Sequence, residues 1–142
     1  MDINDLQDQI IEEFETFEEW MDKYNYLIEL SNELPIISEE GKTKANLIEG
    51  CQSRVWLDAA LDERNKVVYT ADSDAIITKG IISLLIRVLS NRTPKEIMNT
   101  DLYFIDKIGL KEHLSPTRSN GLLAMLKQMK LYAVAFDAKL RR

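Results

Sequence analysis

The sequence contains a single cysteine, Cys51, and a single histidine, His113, among its 142 residues. One thiol excludes an internal disulfide bond, and one thiol with one imidazole is too few for a tetrahedral zinc site. An iron–sulfur cluster held by this chain alone is excluded as well, since such a cluster needs about four thiolate ligands. We therefore expect no bound metal or cofactor, and a reducing compartment, the cytoplasm, as the location.

The sequence also lacks a long apolar run and an excess of basic residues. The longest apolar candidate, residues 75–89, contains Lys79 and Arg87 and is shorter than the ~18 residues that span a bilayer. The first eight residues are acidic and polar, which predicts that there is no signal or transit peptide. Eighteen basic residues against 24 acidic ones give a net charge of −6, which argues against binding along a phosphate backbone. We expect neither a membrane nor a nucleic acid as partner.

The middle of the chain has the periodicity of a small sheet. Apolar and polar residues alternate over residues 55–61, residues 62–66 form a polar turn, and residues 67–70 are rich in β-forming types. A short extended piece near Leu47 and Ile48 predicts a third strand. Together these segments predict a three-stranded antiparallel meander.

Helical signals dominate the first third and the second half of the chain. Asn4, with Gln7 three residues later, predicts the start of a first helix, and a second apolar stripe ends near Pro35. Residues 73–89, with Asp72 or Ser73 as cap, are apolar on nearly every side, which is typical of a helix in the centre of a fold.

Two later helix starts combine a capping residue with proline, at Thr93–Pro94 and at Ser115–Pro116. No linker or repeat divides the chain, and its composition, 45% hydrophobic and 30% charged, is that of a globular protein. The predicted fold class is α+β, a small three-stranded antiparallel sheet packed with helices in one domain.

Cys51 is the candidate nucleophile. Gly50 precedes it and opens the backbone beside the sulfur, the predicted strand follows, and the hydroxyl of Ser53 lies close enough in sequence to donate to the sulfur. A thiol reacts as its thiolate, and an unperturbed cysteine ionises near pH ~8.5. The alternative is an inert thiol, because free cysteines often serve as small core residues.

The segment around Cys51 resembles the sulfur-acceptor motif of the SufE family. The motif residues are Gly50-Cys51-Gln52-Ser53-Arg54-Val55-Trp56. Two further blocks match the family pattern in order and spacing, ADSDAIITKG at residues 71–80 and LSPTRSNG at residues 114–121. The resemblance covers nearly the whole chain and implies a SufE/NifU-like fold, with a single SufE-like domain over residues 1–142.

The resemblance also implies a function. Cys51 would take sulfur as a persulfide from a cysteine desulfurase of the SufS or CsdA type, stimulate that enzyme, and pass the sulfur to a scaffold protein that assembles iron–sulfur clusters. The chain would be a sulfur-transfer partner and not an enzyme, and pyridoxal phosphate would belong to the desulfurase. The cysteine loop would shelter the persulfide and swing outward on docking, with Gly50 as a hinge.

Further residues have a possible supporting role and an ordinary alternative. Gly50, Gln52 and Ser53 flank the thiol, while Asp74 and Arg118, in the other two blocks, could latch the cysteine loop or lend it positive potential. Alternatively, Asp74 stabilises the first turn of a helix and Arg118 is a surface residue. Two other functions stay open: a thiol enzyme that pairs Cys51 with His113, and a binding module with an inert cysteine.

Overall fold

The computed structural model describes residues 2–51 and 53–141 and has an α+β fold, as predicted. Three short 3₁₀ turns cover Ser31–Glu33, Glu39–Gly41 and Lys44–Asn46. The helices and strands of the described residues are α1 (Ile3–Glu15), α2 (Trp20–Leu30), β1 (Val55–Leu61), β2 (Val67–Ser73), α3 (Ile76–Leu89), α4 (Pro94–Asn99), α5 (Phe104–Lys107), α6 (Leu110–His113) and α7 (Pro116–Leu140).

Strands β1 and β2 form an antiparallel pair, as predicted. The pairing runs from Val55 opposite Ser73 to Leu61 opposite Val67. The Asp62 carboxylate closes the turn, because it accepts hydrogen bonds from the backbone N–H groups of Arg64 and Lys66, at 2.8 and 2.9 Å. An aspartate that binds the backbone of its own turn is a common stabiliser of tight turns.

The predicted third strand near Leu47 and Ile48 is wrong as a full strand. Leu47 forms only an isolated antiparallel bridge with Trp56, and the Ile48 N–H donates to the Val55 carbonyl at 2.8 Å. A 3₁₀ turn ends at Asn46, and Gly50 turns the chain away with a φ of 92°. The segment between these two turns is too short to pair further, so the sheet of the described residues has two strands.

Helix α3 occupies the centre of the fold, as its uniformly apolar composition predicts. Nearly all of its residues are buried, and it packs against α1, α2, β2 and α7. The helix begins later than predicted, at Ile76, because β2 continues to Ser73. Ser73 does not cap the helix, and its Oγ accepts instead from the N–H of Ala75, at 3.2 Å. Asp72 pairs with Lys42 and Lys79, at 2.8 and 3.3 Å.

Helix α1 also begins elsewhere than predicted. Asp2 is its N-cap and forms a capping box with Asp5. The predicted N-cap was Asn4, with Gln7 as its capping partner. Gln7 is fully buried instead. Its side chain donates to the Asp101 carbonyl at 3.1 Å and accepts from the Phe104 N–H at 3.2 Å, which ties α1 to the start of α5.

The two proline-marked helix starts are confirmed. Thr93 and Glu96 form a capping box on α4, and the Ser115 hydroxyl accepts from the Arg118 N–H at the start of α7. Helix α7 buries one side against the sheet and α3, through Leu122, Met125, Met129 and Ala133. Within the two described stretches, no helix combines the length and the apolar character needed to cross a bilayer.

We expect Gly80→Ala to destabilise the protein by about 2–3 kcal/mol. A β-carbon at residue 80 would lie 2.0 Å from the Leu27 carbonyl oxygen, so α2 and α3 would have to move apart. The measurement is the free energy of unfolding in urea.

Gly121→Ala is the matched control, because it makes the same change inside helix α7. There the nearest atom to an added β-carbon is the Cys51 Sγ, at an ordinary 3.5 Å. We expect the control to keep its stability or to gain up to about 1 kcal/mol from the better helix propensity of alanine. Equal losses in both variants would show that the approach of α2 to α3 is not what requires glycine.

Candidate functional site

Cys51 lines a cavity of about 250 Å³ between α3, α7 and the cysteine segment, by which we mean residues 47–54. The thiol is half-buried. Ser53 and Arg118, two of the predicted supporting residues, line the same cavity. The remaining lining residues are Ala75, Thr78, Ile81, Thr117, Gly121 and Met125.

The sulfur of Cys51 rests directly on helix α7. Its thiol donates a weak hydrogen bond to the carbonyl oxygen of Gly121, with 3.8 Å between Sγ and oxygen. Gly121 also lies close to the Cα of Cys51, and a β-carbon there would be 3.9 Å from it. The bare backbone of α7 at this glycine therefore forms one wall of the sulfur site.

Gly50 adopts a backbone conformation that favours glycine. Its φ of 92° lies in the left-handed region, which costs a residue with a β-carbon roughly 1 kcal/mol or more. This turn separates the bridge at Leu47 from Cys51 and brings the thiol to α7. The geometry is compatible with the predicted hinge, and outward movement of the segment stays a prediction.

Two hydroxyl groups face each other in the cavity. The oxygens of Ser53 and Thr78 lie 3.4 Å apart, and either one can be the donor. Thr78 belongs to the first turn of α3 and is almost completely buried, at 8% exposure. The cavity is therefore lined by hydroxyl donors from the cysteine segment and α3 and by a carbonyl acceptor from α7.

Asp74 is not among the residues that line the cavity, and it fixes the cysteine segment from outside. Its carboxylate accepts from the Arg54 backbone N–H at 3.0 Å and lies 3.4 Å from the Arg54 Nε. The alternative in which Asp74 stabilises the first turn of a helix is wrong, because α3 begins at Ile76. A role as a latch on the segment stays a prediction that agrees with these contacts.

Arg118 lies on the first turn of α7, where it lines the cavity and remains exposed. Within residues 2–51 and 53–141 its guanidinium takes part in no salt bridge. Its proposed effect on the sulfur therefore stays a prediction. Gln52, the remaining predicted supporting residue, lies outside the described residues.

Burial raises the pKa of the Cys51 thiol above its ordinary value. Desolvation disfavours the thiolate, so the resting thiol is protonated at neutral pH, in agreement with its role as donor to Gly121. The described part of the chain contains no cluster of three or more His, Cys, Asp or Glu residues that could hold a metal ion. The site therefore has the chemistry of an isolated thiol.

His113 does not join this site. Its ring stacks on Trp20, with 4.4 Å between the ring centroids and an angle of 12° between the planes. It is absent from the described lining of the Cys51 cavity. The arrangement needed for a Cys–His catalytic pair is therefore not formed in this structure.

The sequence prediction missed Thr78 and Gly121 as site residues. Both carry a signal in the sequence: a threonine interrupts the apolar run of α3, and a glycine interrupts the interior of α7, where it costs about 1 kcal/mol relative to alanine. The Thr78 hydroxyl contacts Ser53 of the cysteine segment, and Gly121 lies against Cys51. Such contacts join residues far apart in sequence, so only the folded chain reveals them.

The chain is similar to known proteins over most of its length. A family model described as "SufE: Fe-S metabolism associated domain" matches residues 8–133. The chain is 40% identical over 131 residues to "SufE-like protein 1, chloroplastic/mitochondrial" from Arabidopsis thaliana. That alignment covers 92% of this chain and 35% of the relative, so the chain spans about a third of the relative's length.

A solved structure has the same fold. It is the solution structure of a hypothetical protein from Thermus thermophilus, which superimposes with a TM-score of 0.76. The match covers 94% of this chain and 96% of that one, at 20% sequence identity. At this identity the similarity establishes the fold and nothing further.

We expect alkylation of native Cys51 by iodoacetamide to have a pH midpoint above that of the urea-unfolded chain. The reason is that burial raises the folded-state pKa of the thiol. The measurement is the alkylation rate between pH 6 and about 10.5, a range that contains the ordinary thiol pKa. A native midpoint at or below the unfolded one contradicts the prediction.

The same pKa shift has a consequence for stability. A thiol that is harder to ionise in the folded state contributes stability below its unfolded pKa and loses that contribution as the pH rises through its folded pKa. Cys51→Ser lacks this ionisation, so its unfolding free energy should fall less steeply above pH ~8.5 than that of the parent protein.

Proposed function

The chain belongs to the SufE family, and from this membership we propose that it accepts sulfur on Cys51 and delivers it for iron–sulfur cluster assembly. The family is associated with iron–sulfur metabolism. Acceptance of a persulfide, stimulation of the donor enzyme and the identity of the partners are parts of the proposal. The donor is a pyridoxal-phosphate-dependent cysteine desulfurase of the SufS or CsdA type, and the recipient is a cluster scaffold protein.

The transfer is a thiol–persulfide exchange that needs no outside oxidant. The Cys51 thiolate attacks the outer sulfur of a persulfide on the desulfurase, and a new S–S bond forms as the old one breaks. The electron pair of the broken bond leaves with the desulfurase cysteine. That cysteine is then free for another cycle, which is why the acceptor raises the turnover of its donor. The pyridoxal phosphate stays with the desulfurase.

The observation that carries the proposal is the placement of Cys51 beside a cavity large enough for an added atom. The cavity volume is about 250 Å³, whereas one water molecule occupies about 30 Å³ in the liquid, and a sulfur atom is of comparable size. The described polar contact of the sulfur is a single weak bond to Gly121, which docking can break at little cost. A core cysteine would be packed on all sides, so the half-buried thiol disfavours the inert binding module.

The compartment is a further part of the proposal. A single free thiol persists most readily where the environment is reducing, which favours the cytoplasm. The plant relative is chloroplastic or mitochondrial by its name, so the cytoplasmic location stays a prediction.

The decisive experiment is incubation with a cysteine desulfurase and free cysteine, followed by intact-mass measurement. We expect the parent protein to gain one sulfur atom that a reductant removes. Cys51→Ser should gain none and should leave the desulfurase at its unstimulated rate, because a hydroxyl cannot form a persulfide. Its affinity for the desulfurase, measured separately, is the control that the fold and the docking surface persist. Sulfur acceptance by this variant would refute the proposal.

His113→Ala separates the carrier from a Cys–His thiol enzyme. The stacked ring of His113 lies on Trp20 and not at the sulfur, so we expect sulfur acceptance at the parental rate. Loss of the ring contact should lower the unfolding free energy by about 1 kcal/mol. A loss of transfer by orders of magnitude in a folded variant would instead support the Cys–His enzyme.

A further inference from the structure

The cavity beside the Cys51 sulfur is lined by groups of opposite hydrogen-bonding character. The Gly121 carbonyl oxygen of α7, 3.8 Å from Sγ, can only accept hydrogen bonds. The hydroxyls of Ser53, in the cysteine segment, and Thr78, in α3, can donate, and Arg118 adds a positive charge to the lining. A sulfur with a proton and a sulfur without one therefore have different preferred positions in the same cavity.

Loading with sulfur changes which position is favoured. The resting thiol carries a proton and donates a hydrogen bond to the Gly121 carbonyl. A hydropersulfide is a stronger acid than the corresponding thiol, so its terminal sulfur is largely an anion at neutral pH. An anion has no proton for a carbonyl and is repelled by the negative end of the C=O dipole, while hydroxyl donors attract it.

We propose, on the basis of the function proposed above, that the hydroxyls of Thr78 and Ser53 bind the terminal sulfur anion of the Cys51 persulfide. The unloaded thiol is held by Gly121 on α7, and the loaded one turns its outer sulfur toward α3. Thr78 is thus a positioning residue for the bound sulfur.

Among the described residues, the hydroxyl pair has one proton that its two members do not share. Each hydroxyl has one proton, and only one of the two lies between Ser53 and Thr78. Their separation of 3.4 Å is long for an O–H···O bond, so it opens easily around an anion. Thr78 is fixed by its position in the buried helix α3, at 8% exposure, so its hydroxyl is held in place before the sulfur arrives.

The rest of the lining strengthens this interaction. Ala75, Ile81 and Met125 surround the hydroxyls with apolar groups. Hydrogen bonds to an anion are stronger where water is scarce, because the local dielectric constant is low. Charge–charge attraction to Arg118 acts in the same direction, but from an exposed position.

The test uses protein loaded chemically with sodium polysulfide, so that no desulfurase takes part. The Cys51 thiolate attacks a polysulfide sulfur, and the shortened polysulfide leaves with the electron pair of the broken bond. Molecules with one added sulfur are quantified by intact mass. The readout is the pH at which alkylation of the terminal sulfur reaches half its maximal rate, compared with the same measurement on the unloaded thiol.

We expect Thr78→Val to raise the pH midpoint of the loaded protein by about 1 to 2, the effect of one lost hydrogen bond to an anion. Thr78→Ser keeps a hydroxyl and should stay near the parental midpoint. The Ser53→Ala and Thr78→Val double variant removes both donors and should raise it further. Thr70→Val makes the same change on β2, outside the described lining of the cavity, and should leave the midpoint unchanged.

Two results would overturn the inference. An unchanged loaded midpoint in the double variant would show that neither hydroxyl contacts the sulfur. Equal shifts in the loaded and unloaded proteins would show that Thr78 acts only through the shape of the cavity. Failure of the proposed function is seen separately, as the absence of sulfur transfer from a desulfurase to the parent protein, whatever the polysulfide experiment gives.

Discussion

Burial of α3 on all sides is the constraint on which the other elements depend. The removal of each large apolar side chain of α3 from water contributes roughly 1.5–3 kcal/mol to the stability of the fold. Neighbouring elements are therefore required around the helix. Gly80 lets the α2 backbone approach, and β2, α1 and α7 cover the other sides. The first turn of this helix carries Thr78 into the cysteine cavity. The most firmly packed element of the fold therefore also forms a wall of the site.

The cysteine segment is held differently from this core. Its fixed points are the Ile48 N–H on β1 and the Arg54 N–H on the Asp74 carboxylate. Between them, the described hydrogen bond of the Cys51 side chain is the 3.8 Å contact with Gly121. A glycine turn at a φ that glycine adopts freely and a weak sulfur bond oppose movement of the segment only slightly, whereas α3 and α7 cannot shift without loss of core packing. The segment that carries Cys51 is therefore held by weaker contacts than the helices that form the cavity.

Local signals predicted the fold better than they predicted the site. Alternating apolar and polar residues predicted β1, capping residues with proline predicted the starts of α4 and α7, and an apolar run predicted α3. Each of these signals depends on residues that are neighbours in sequence. The prediction of a third strand was wrong, because pairing beyond Leu47 depends on the positions of the flanking turns. Cys51 could be identified by its uniqueness and its motif. The contact of its sulfur with α7 joins residues 70 positions apart in sequence, and the contact of Ser53 with Thr78 joins residues 25 positions apart. No local sequence pattern predicts contacts at such separations.

The resting thiol is protonated, whereas the proposed sulfur transfer needs a thiolate. The two requirements are compatible if docking also favours ionisation of the thiol. Burial, which raises the pKa of Cys51, disfavours the thiolate and so lowers the reactivity of the resting thiol toward oxidants and electrophiles. The described lining of the cavity offers no side-chain base, since His113 stacks on Trp20 instead. If the cysteine segment moves outward when a partner docks, as the proposed function requires, the sulfur returns to a polar environment and its bond to Gly121 breaks. Exposure and ionisation would then occur together, and the thiol would become reactive at the docking interface.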